Sequence, residues 1–169
     1  MVVKDFANYH PVVAKIIALL TQHAVWFETH QHTPVITSHE ASQVRGEYTL
    51  SQGAKAMIVK ITKNGEHEFV MLVLPGDKRF DNKKVKNLLN AKEVEFATAD
   101  DIAQLTNGIQ IGGVPPFGNL FGINVFADES LLKNEKIIFN AGDRRFSIAM
   151  NTKDWQKIVI PHQAIFVKN

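Results

Sequence analysis

Cysteine is absent from this sequence of 169 residues. A disulfide framework, a thiolate zinc site, an iron–sulfur cluster and a cysteine nucleophile are therefore excluded. A chain without cysteine also fits a reducing compartment, so we expect a cytoplasmic protein.

Long uncharged stretches are also missing. Lys4, Asp5 and Lys15 interrupt the apolar N-terminal stretch, and no small-residue cleavage site follows it, so it predicts an amphipathic helix and not a signal peptide. No stretch approaches the about 18 uncharged residues of a membrane span, and we expect no membrane partner. The hydrophobic content of 45% and the charged content of 21% are those of an ordinary globular protein, and the length suits one domain, residues 1–169.

Several common catalytic motifs are missing too. The sequence has no GxSxG, HExxH, GxxxxGKS/T or GxGxxG motif, which argues against the familiar hydrolase, zinc protease and nucleotide-binding machinery. His30 and His32 would share one face of a strand and His39 follows them, so three imidazoles could hold zinc or iron. No carboxylate is spaced to complete that ligand set, and we expect neither a metal nor a cofactor.

The pattern of apolar residues predicts interleaved helices and strands. Thr37 and Thr98 predict helix N-termini because an acidic residue follows each of them three positions later, and Asn64-Gly65 predicts a tight hairpin. The expected fold class is α+β (mixed α/β), with a curved, mostly antiparallel mixed sheet flanked by helices. Helices are predicted over residues 9–23, 37–44, 81–90, 98–107 and 152–159, strands over 25–32, 50–62, 67–75, 122–128, 136–142 and 145–150, and irregular structure over 111–122.

Lys55 stands in a predicted strand that should be covered on both sides. With a side-chain period of two, Gly53, Lys55 and Met57 share one face, and both faces of the strand are mostly apolar. Taking an ammonium group out of water costs several kcal/mol unless an anion accompanies it. Lys55 is therefore expected to contact an anionic ligand or, as the alternative, to form a salt bridge with Glu40 or Glu47.

The segment GGVPPFG, Gly112–Gly118, is called the glycine-proline loop here. Its glycines allow unusual φ values and leave their N–H groups unshielded, whereas Pro115 and Pro116 lack an N–H and fix φ. The pattern predicts a stiff loop in which the Gly112 and Gly113 amides could bind an oxyanion or a phosphate. Glycine and proline also form turns that bind nothing, and from these residues alone that alternative is favoured.

The segment FNAGDRR, residues 139–145, ends a predicted strand with an amide, a small residue and a glycine. Asn140 could hydrogen-bond a ligand or cap the turn of its own segment. Taken alone, the residues favour the turn.

Positive charge is concentrated between residues 78 and 92. Six cations oppose one carboxylate there, a net charge of +5, against +2 for the whole chain. A polyanion could dock on this basic segment, and a solvated helix face is the alternative.

Five stretches, HTPVITSHEA, QVRGEYTLSQGAKAMIVK, FVMLVLP, IGGVPPFG and FNAG, follow one another across nearly the whole chain. Together they resemble the YbaK-like aminoacyl-tRNA deacylases, the family that includes the editing domain inserted in some prolyl-tRNA synthetases, and freestanding members most of all. The resemblance implies hydrolysis of the ester that joins a wrong amino acid to the 3′-terminal adenosine of tRNA. In the family, the terminal ribose hydroxyl is thought to assist the attacking water.

The resemblance also implies roles for individual residues. The family's strand lysine falls on Lys55, and its GxxxP loop, whose amides hold the ester carbonyl, falls on residues 112–116. Pro115 is a second proline directly before Pro116, the proline of the GxxxP motif. It departs from the family pattern, so the shape of the amino-acid pocket is expected to differ from that of other members. The implied catalytic residues are Lys55, Gly112, Gly113, Val114 and Pro116, the substrate-binding residues are Met57, Pro115, Phe117, Asn140, Ala141 and Gly142, and the tRNA-binding residues are Lys78, Arg79, Lys83, Lys84 and Lys86.

The expected substrate is tRNA mischarged with a small amino acid, because a hydrophobic synthetase pocket rejects small or isosteric amino acids poorly. Serine, threonine or alanine is favoured, and cysteine is a further candidate. An aminoacyl-tRNA synthetase is a candidate second partner. The alternative function is a non-catalytic tRNA- or synthetase-binding module of the same fold, against which the intact Lys55 and GxxxP loop argue.

Overall fold

The structure, a computed structural model, describes residues 6–169 as six α-helices and eight strands. The helices are α1 (Pro11–Gln22), α2 (Ser38–Val44), α3 (Asn82–Leu89), α4 (Ala99–Thr106), α5 (Glu129–Leu132) and α6 (Thr152–Val159). The strands are β1 (Phe27–Gln31), β2 (Ala54–Lys63), β3 (Glu66–Pro75), β4 (Glu93–Phe96), β5 (Asn124–Asp128), β6 (Lys136–Asp143), β7 (Phe146–Asn151) and β8 (His162–Ala164).

The eight strands form two sheets. β1, β7 and β6 form an antiparallel three-stranded sheet, and the other sheet has the order β4-β2-β3-β5-β8 with parallel pairing at β3–β5 and β5–β8. The predicted α+β class and mostly antiparallel pairing are confirmed, but the single predicted sheet is divided in two. Side-chain periodicity shows that a segment is a strand and which of its faces is apolar, but not which strand it pairs with.

The hairpin between β2 and β3 forms as predicted. Asn64 and Gly65 have φ of 52° and 79°, and the two strands pair in register from Lys63 with Glu66 back to the start of β2. Positive φ at both turn positions gives the turn the twist that a two-residue hairpin requires.

β2 is covered on both faces. Ala54, Ala56 and Ile58, on one face, pack in a core with α1, α6 and the three-stranded sheet. Val59 and Ile61, on the opposite face, pack in a second core with α3 and the buried Phe166 near the C-terminus. The expectation that the strand carrying Lys55 has two apolar faces in contact with protein is therefore confirmed.

The helix starts at Thr37 and Thr98 are confirmed by their capping bonds. The Thr37 hydroxyl accepts the N–H of Glu40 at 3.1 Å. Thr98 and Asp101 form a reciprocal capping box, at 3.0 and 2.9 Å. Thr106 is the last residue of α4, and Asn107 after it adopts the left-handed conformation with φ of 57°, which agrees with the predicted helix end.

Three short elements were not predicted: α5, β4 and the edge strand β8. They span three or four residues each, too few for a periodic pattern to stand out. Two predicted ranges are corrected, each by one turn of 3₁₀ helix. Leu50–Gln52 form such a turn at the start of the predicted strand 50–62, and Gly118–Leu120 form one within the segment 111–122 that was expected to be wholly irregular. Within residues 6–169 we find no helix whose length and apolar character would let it cross a membrane.

Candidate active site

A cavity of about 320 Å³ opens where the start of β2 approaches β6. α2, the start of β2, the glycine-proline loop and β6 all contribute to its wall. Five wall residues are central to its chemistry: Arg45, Lys55, Gly112, Val114 and Asn140. This space is called the first cavity below, and it brings together the strand lysine and the loop that the sequence placed 57 positions apart.

Two residues of the glycine-proline loop that line the first cavity have backbone N–H groups without an acceptor among the described residues. Gly112 has φ of +86°, and its backbone passes so close to Ile36 that a Cβ would lie 2.8 Å from the Ile36 carbonyl oxygen. Gly113 donates its N–H to Gln110 at 2.9 Å, so its predicted role as an oxyanion donor is corrected. Gly112 and Val114 have no acceptor for their N–H groups among residues 6–169, and both line the first cavity.

Asn140 fixes the loop to β6. Its Nδ2 donates to the carbonyl oxygen of Gly112 at 2.6 Å, and its Oδ1 accepts from Nη2 of Arg45 at 3.1 Å and from the Ser147 hydroxyl at 3.2 Å. The favoured expectation that Asn140 caps its own turn is therefore wrong. The side chain instead connects the loop to a buried polar group on the neighbouring strand.

Lys55 lies half-buried between two cavities. Its Nζ donates to the carbonyl oxygen of Lys78, and no carboxylate within residues 6–169 forms an ion pair with it. The alternative of a salt bridge with Glu40 or Glu47 is therefore not realised in the structure. Burial lowers the pKa of Lys55 below its ordinary value, and the nearby charge of Arg79 lowers it further, while Asp77 acts in the opposite direction.

A second cavity, of about 520 Å³, adjoins the first and shares Lys55, Met57 and Phe96 with it. Phe96 is 61% exposed, and its ring meets that of Phe80 edge to face at a centroid distance of 5.4 Å. Arg79 and Lys168 add two cations to the wall. The C-terminal segment reaches this place because its backbone pairs with residues 79–81.

Met57 lines both cavities, but three predicted residues of the loop lie behind the wall. Pro115, Pro116 and Phe117 are buried and line neither cavity. Phe117 is fully buried in the core, and the carbonyl oxygen of Pro116 accepts from the indole N–H of Trp155 at 2.9 Å. The structure therefore does not place these three residues at a cavity wall, where their predicted role at the substrate requires them to be.

Ala141 and Gly142 are also placed behind the wall. Ala141 is fully buried in the core. Gly142 has φ of +105°, and a Cβ there would stand 1.8 Å from Cγ1 of Val12 in α1. The glycine is required because β6 and α1 pack closely, which corrects its predicted contact with substrate.

The five predicted tRNA-binding cations of the basic segment are exposed or half-exposed, and one of them is bound to protein. Lys78, Arg79 and Lys83 are exposed and Lys86 is half-exposed. Lys84 instead donates its ammonium group to the carbonyl oxygen of Val167 at 2.9 Å and to Asn169 at 3.0 Å. Four of the five predicted tRNA-binding cations are thus at least partly exposed, and within residues 6–169 their side chains have no bond to the C-terminal segment, to which the side chain of Lys84 is bound.

The three histidines that raised the question of a metal have separate partners. His30 contacts Glu28, His32 contacts Ser147, and His39 contacts its own helix at Gln43. No group of three metal-ligating side chains is found among residues 6–169.

A comparison with protein families shows to which family the chain belongs. The model of the aminoacyl-tRNA editing domain matches residues 32–158, which include every residue named for the first cavity. The chain belongs to this family. The resemblance found from the five sequence stretches is therefore confirmed, and so are the fold class and the reaction class, hydrolysis of an aminoacyl-tRNA ester.

Individual relatives agree with the family assignment. The multifunctional Ser/Thr-tRNA deacylase ProXp-y of Escherichia coli K12 is 30% identical over 153 residues, 90% of each chain. The proline–tRNA ligase of Bacillus licheniformis is 35% identical over 97 residues, 57% of this chain but 16% of the ligase. A crystal structure described as a candidate trans-editing enzyme for prolyl-tRNA synthetase has a TM-score of 0.78 over 95% of this chain and 99% of that one, at 21% identity, and shares the fold.

Sequence reasoning missed three residues of the two cavities: Arg45, Phe96 and Lys168. Arg45 lies in the stretch QVRGEYTLSQGAKAMIVK, but a single arginine after a short helix belongs to no periodic pattern that would mark it as a site residue. Phe96 belongs to the unpredicted strand β4, and Lys168 reaches the site only through pairing of the C-terminal segment.

Proposed function

We propose that this protein hydrolyses, in trans, the ester bond of tRNA mischarged with a small amino acid, serine or threonine in particular. The observation that carries the proposal is the position of Lys55, which lines both cavities and has no anionic partner among the described residues. An aminoacyl ester has an uncharged end, the amino acid side chain, joined to an anionic polynucleotide. A cation at the junction of two cavities matches such a ligand.

The first cavity would receive the aminoacyl group. Its volume of about 320 Å³ is at the small end of ligand sites. The relative from E. coli is named for seryl- and threonyl-tRNA, and the predicted preference for small amino acids agrees with that name. Gly112 and Val114 would donate their free N–H groups to the ester carbonyl, and these bonds strengthen as the oxygen becomes negative in the transition state.

Hydrolysis of the ester requires a group that activates the attacking water. No carboxylate, histidine or cysteine of the described residues lines the first cavity, so the wall offers no ordinary general base. In the substrate itself, the hydroxyl next to the ester on the terminal ribose would orient the water. Substrate assistance of this kind, implied by the family resemblance, fits a wall that provides oxyanion donors and a lysine but no base.

The second cavity would receive the terminal adenosine. The exposed face of Phe96 offers a stacking surface for a base, worth about 1–3 kcal/mol in single-stranded nucleic acid sites. Arg79 and Lys168 would meet phosphate oxygens, and the exposed lysines of the basic segment would continue that contact along the acceptor strand.

Replacement of Lys55 tests the proposal. Lys55→Met keeps the length of the side chain and removes its charge, and we expect the single-turnover rate of seryl-tRNA hydrolysis to fall about 10- to 100-fold, because a charge-assisted hydrogen bond is worth about 1.5–3 kcal/mol. The melting temperature should change little, since the desolvation cost of the ammonium group is removed with it.

Lys63→Met is the matched control. Lys63 is the last residue of the same strand, lines neither cavity and forms no ion pair among the described residues, so its loss should leave the rate unchanged. Full activity in Lys55→Met would overturn the placement of the active site. Wild-type protein that binds mischarged tRNA but releases no amino acid would show the non-catalytic binding module instead.

A further inference from the structure

Arg45 is a buried cation without an anion. It follows directly after α2, has 7% of its surface exposed, and forms no ion pair within residues 6–169. Burial lowers the pKa of Arg45 to about 10, yet the side chain is still charged at neutral pH. Proteins seldom leave a buried guanidinium unpaired, because its lost hydration has to be replaced.

Two of the three guanidinium nitrogens have protein acceptors. Nε donates to the Ser147 hydroxyl and Nη2 to Oδ1 of Asn140, both at 3.1 Å. Nη1 has no protein acceptor among the described residues. It lies next to Gly53, where a side-chain Cβ would be 3.5 Å away, and both Gly53 and Arg45 line the first cavity. Glycine at position 53 therefore places no side chain against Nη1.

We infer that Nη1 of Arg45 donates a hydrogen bond to the side-chain hydroxyl of the aminoacyl group and so selects hydroxy-amino acids over alkyl ones of the same size. The inference rests on the proposed function, and it adds a specificity-determining residue to the site. Ser147 and Asn140 orient the planar fork of the guanidinium, so the direction of the free N–H groups is set before substrate arrives.

A purely structural role is the competing explanation. Arg45 holds Asn140, and Asn140 holds the carbonyl oxygen of Gly112, so loss of Arg45 could simply loosen the glycine-proline loop. That role would slow hydrolysis of every ester alike. Selection by a hydrogen bond would instead change the ratio between two substrates that differ only at the hydroxyl.

The test uses one tRNA charged with either serine or 2-aminobutyrate, in which a methyl group replaces the hydroxyl. Wild-type protein should hydrolyse the seryl ester about 10- to 100-fold faster in kcat/KM, less than the about 10⁴–10⁵ of fully enclosed sites because water can enter this cavity. Arg45→Met should reduce that preference to within about threefold of unity. Ser147→Ala leaves Nη1 free and the guanidinium still held by Asn140, so this variant should continue to prefer the seryl ester even if the protein melts at a lower temperature.

The outcomes separate the two hypotheses. Equal hydrolysis of the two esters by wild-type protein, or an unchanged ratio in Arg45→Met, overturns the inference and leaves the proposed function standing. Release of neither amino acid overturns the proposed function and the inference with it. If Arg45→Met does not fold, Arg45→Lys provides the same comparison. A lysine has a single nitrogen, and when Ser147 and Asn140 engage it no second N–H group is left for the substrate hydroxyl. An unchanged ratio of seryl to 2-aminobutyryl hydrolysis in Arg45→Lys also overturns the inference.

Discussion

Replacement of Gly112 by alanine should damage both the stability of the protein and the chemical step. The residue has φ of +86°, where an alanine costs about 1–2 kcal/mol. Its Cβ would lie 2.8 Å from the carbonyl oxygen and 3.1 Å from the Cα of Ile36, contacts with backbone that cannot rotate away. Overpacking of this kind costs about 1–3 kcal/mol, so the free energy of unfolding should fall by about 2–5 kcal/mol in Gly112→Ala.

The effect on catalysis follows from the same displacement. The clash must move Gly112 away from Ile36 or turn its peptide, and either change redirects an N–H group that we assign to the oxyanion. Loss of one such donor is typically worth a factor of about 10²–10³ in rate. Single-turnover hydrolysis of seryl-tRNA at saturating protein measures this step separately from binding, and urea denaturation of the same sample gives the stability.

Gly108→Ala is the matched control for Gly112→Ala. Gly108 has φ of +95°, but a Cβ there would have no atom within 4 Å. It should therefore lose only the about 1–2 kcal/mol of the backbone conformation and keep its hydrolysis rate. If the two variants lose the same stability and both retain the wild-type rate, the close approach to Ile36 and the oxyanion role of Gly112 are refuted together.

Three further predictions concern the tRNA surface, pH and metals. Alanine at both Lys83 and Lys86 should weaken tRNA binding and lower the slope of log affinity against log salt by about two, whereas alanine at Lys153 and Lys157 of α6 should not, and equal slopes would make the basic segment a solvated helix face. Burial lowers the pKa of His32 below its ordinary 6.5, so the unfolded chain takes up the proton first and the free energy of unfolding should fall as the pH drops below 6.5. His32→Gln should weaken this pH dependence of stability, and an unaltered pH profile in the variant would contradict the prediction. Exhaustive chelation should leave the hydrolysis rate intact, and a loss that zinc or iron restores would contradict this.

Local features of the fold could be predicted from the sequence because their causes are local. Threonine followed three residues later by an acidic residue starts a helix, and Asn64-Gly65 turns a hairpin, through bonds and dihedral angles within a few residues. The apolar character of both faces of β2 similarly predicted that protein would cover it on both sides. The ordered set of short motifs was sufficient to identify the family.

The composition of the site depended on contacts that no local pattern encodes. Arg45 bonds to Asn140, 95 positions away, and to Ser147, 102 positions away. The sequence around each of these residues contains no pattern that predicts its contact with the others. The sequence could say that Lys55 needs a partner, but only packing shows that Glu40 and Glu47 do not supply it and that the lysine stands between two cavities.

In the glycine-proline loop, some properties follow from the sequence alone and others only from the tertiary structure. Its stiffness and its supply of N–H groups follow from residue type, since glycine permits φ of +86° and proline fixes its own φ. Which N–H groups remain free was decided by the tertiary structure, because Gly113 turns back to Gln110 while Gly112 and Val114 face the first cavity. Residue type limits the conformations that each position can adopt, whereas hydrogen-bond partners and burial depend on segments brought together from the whole chain.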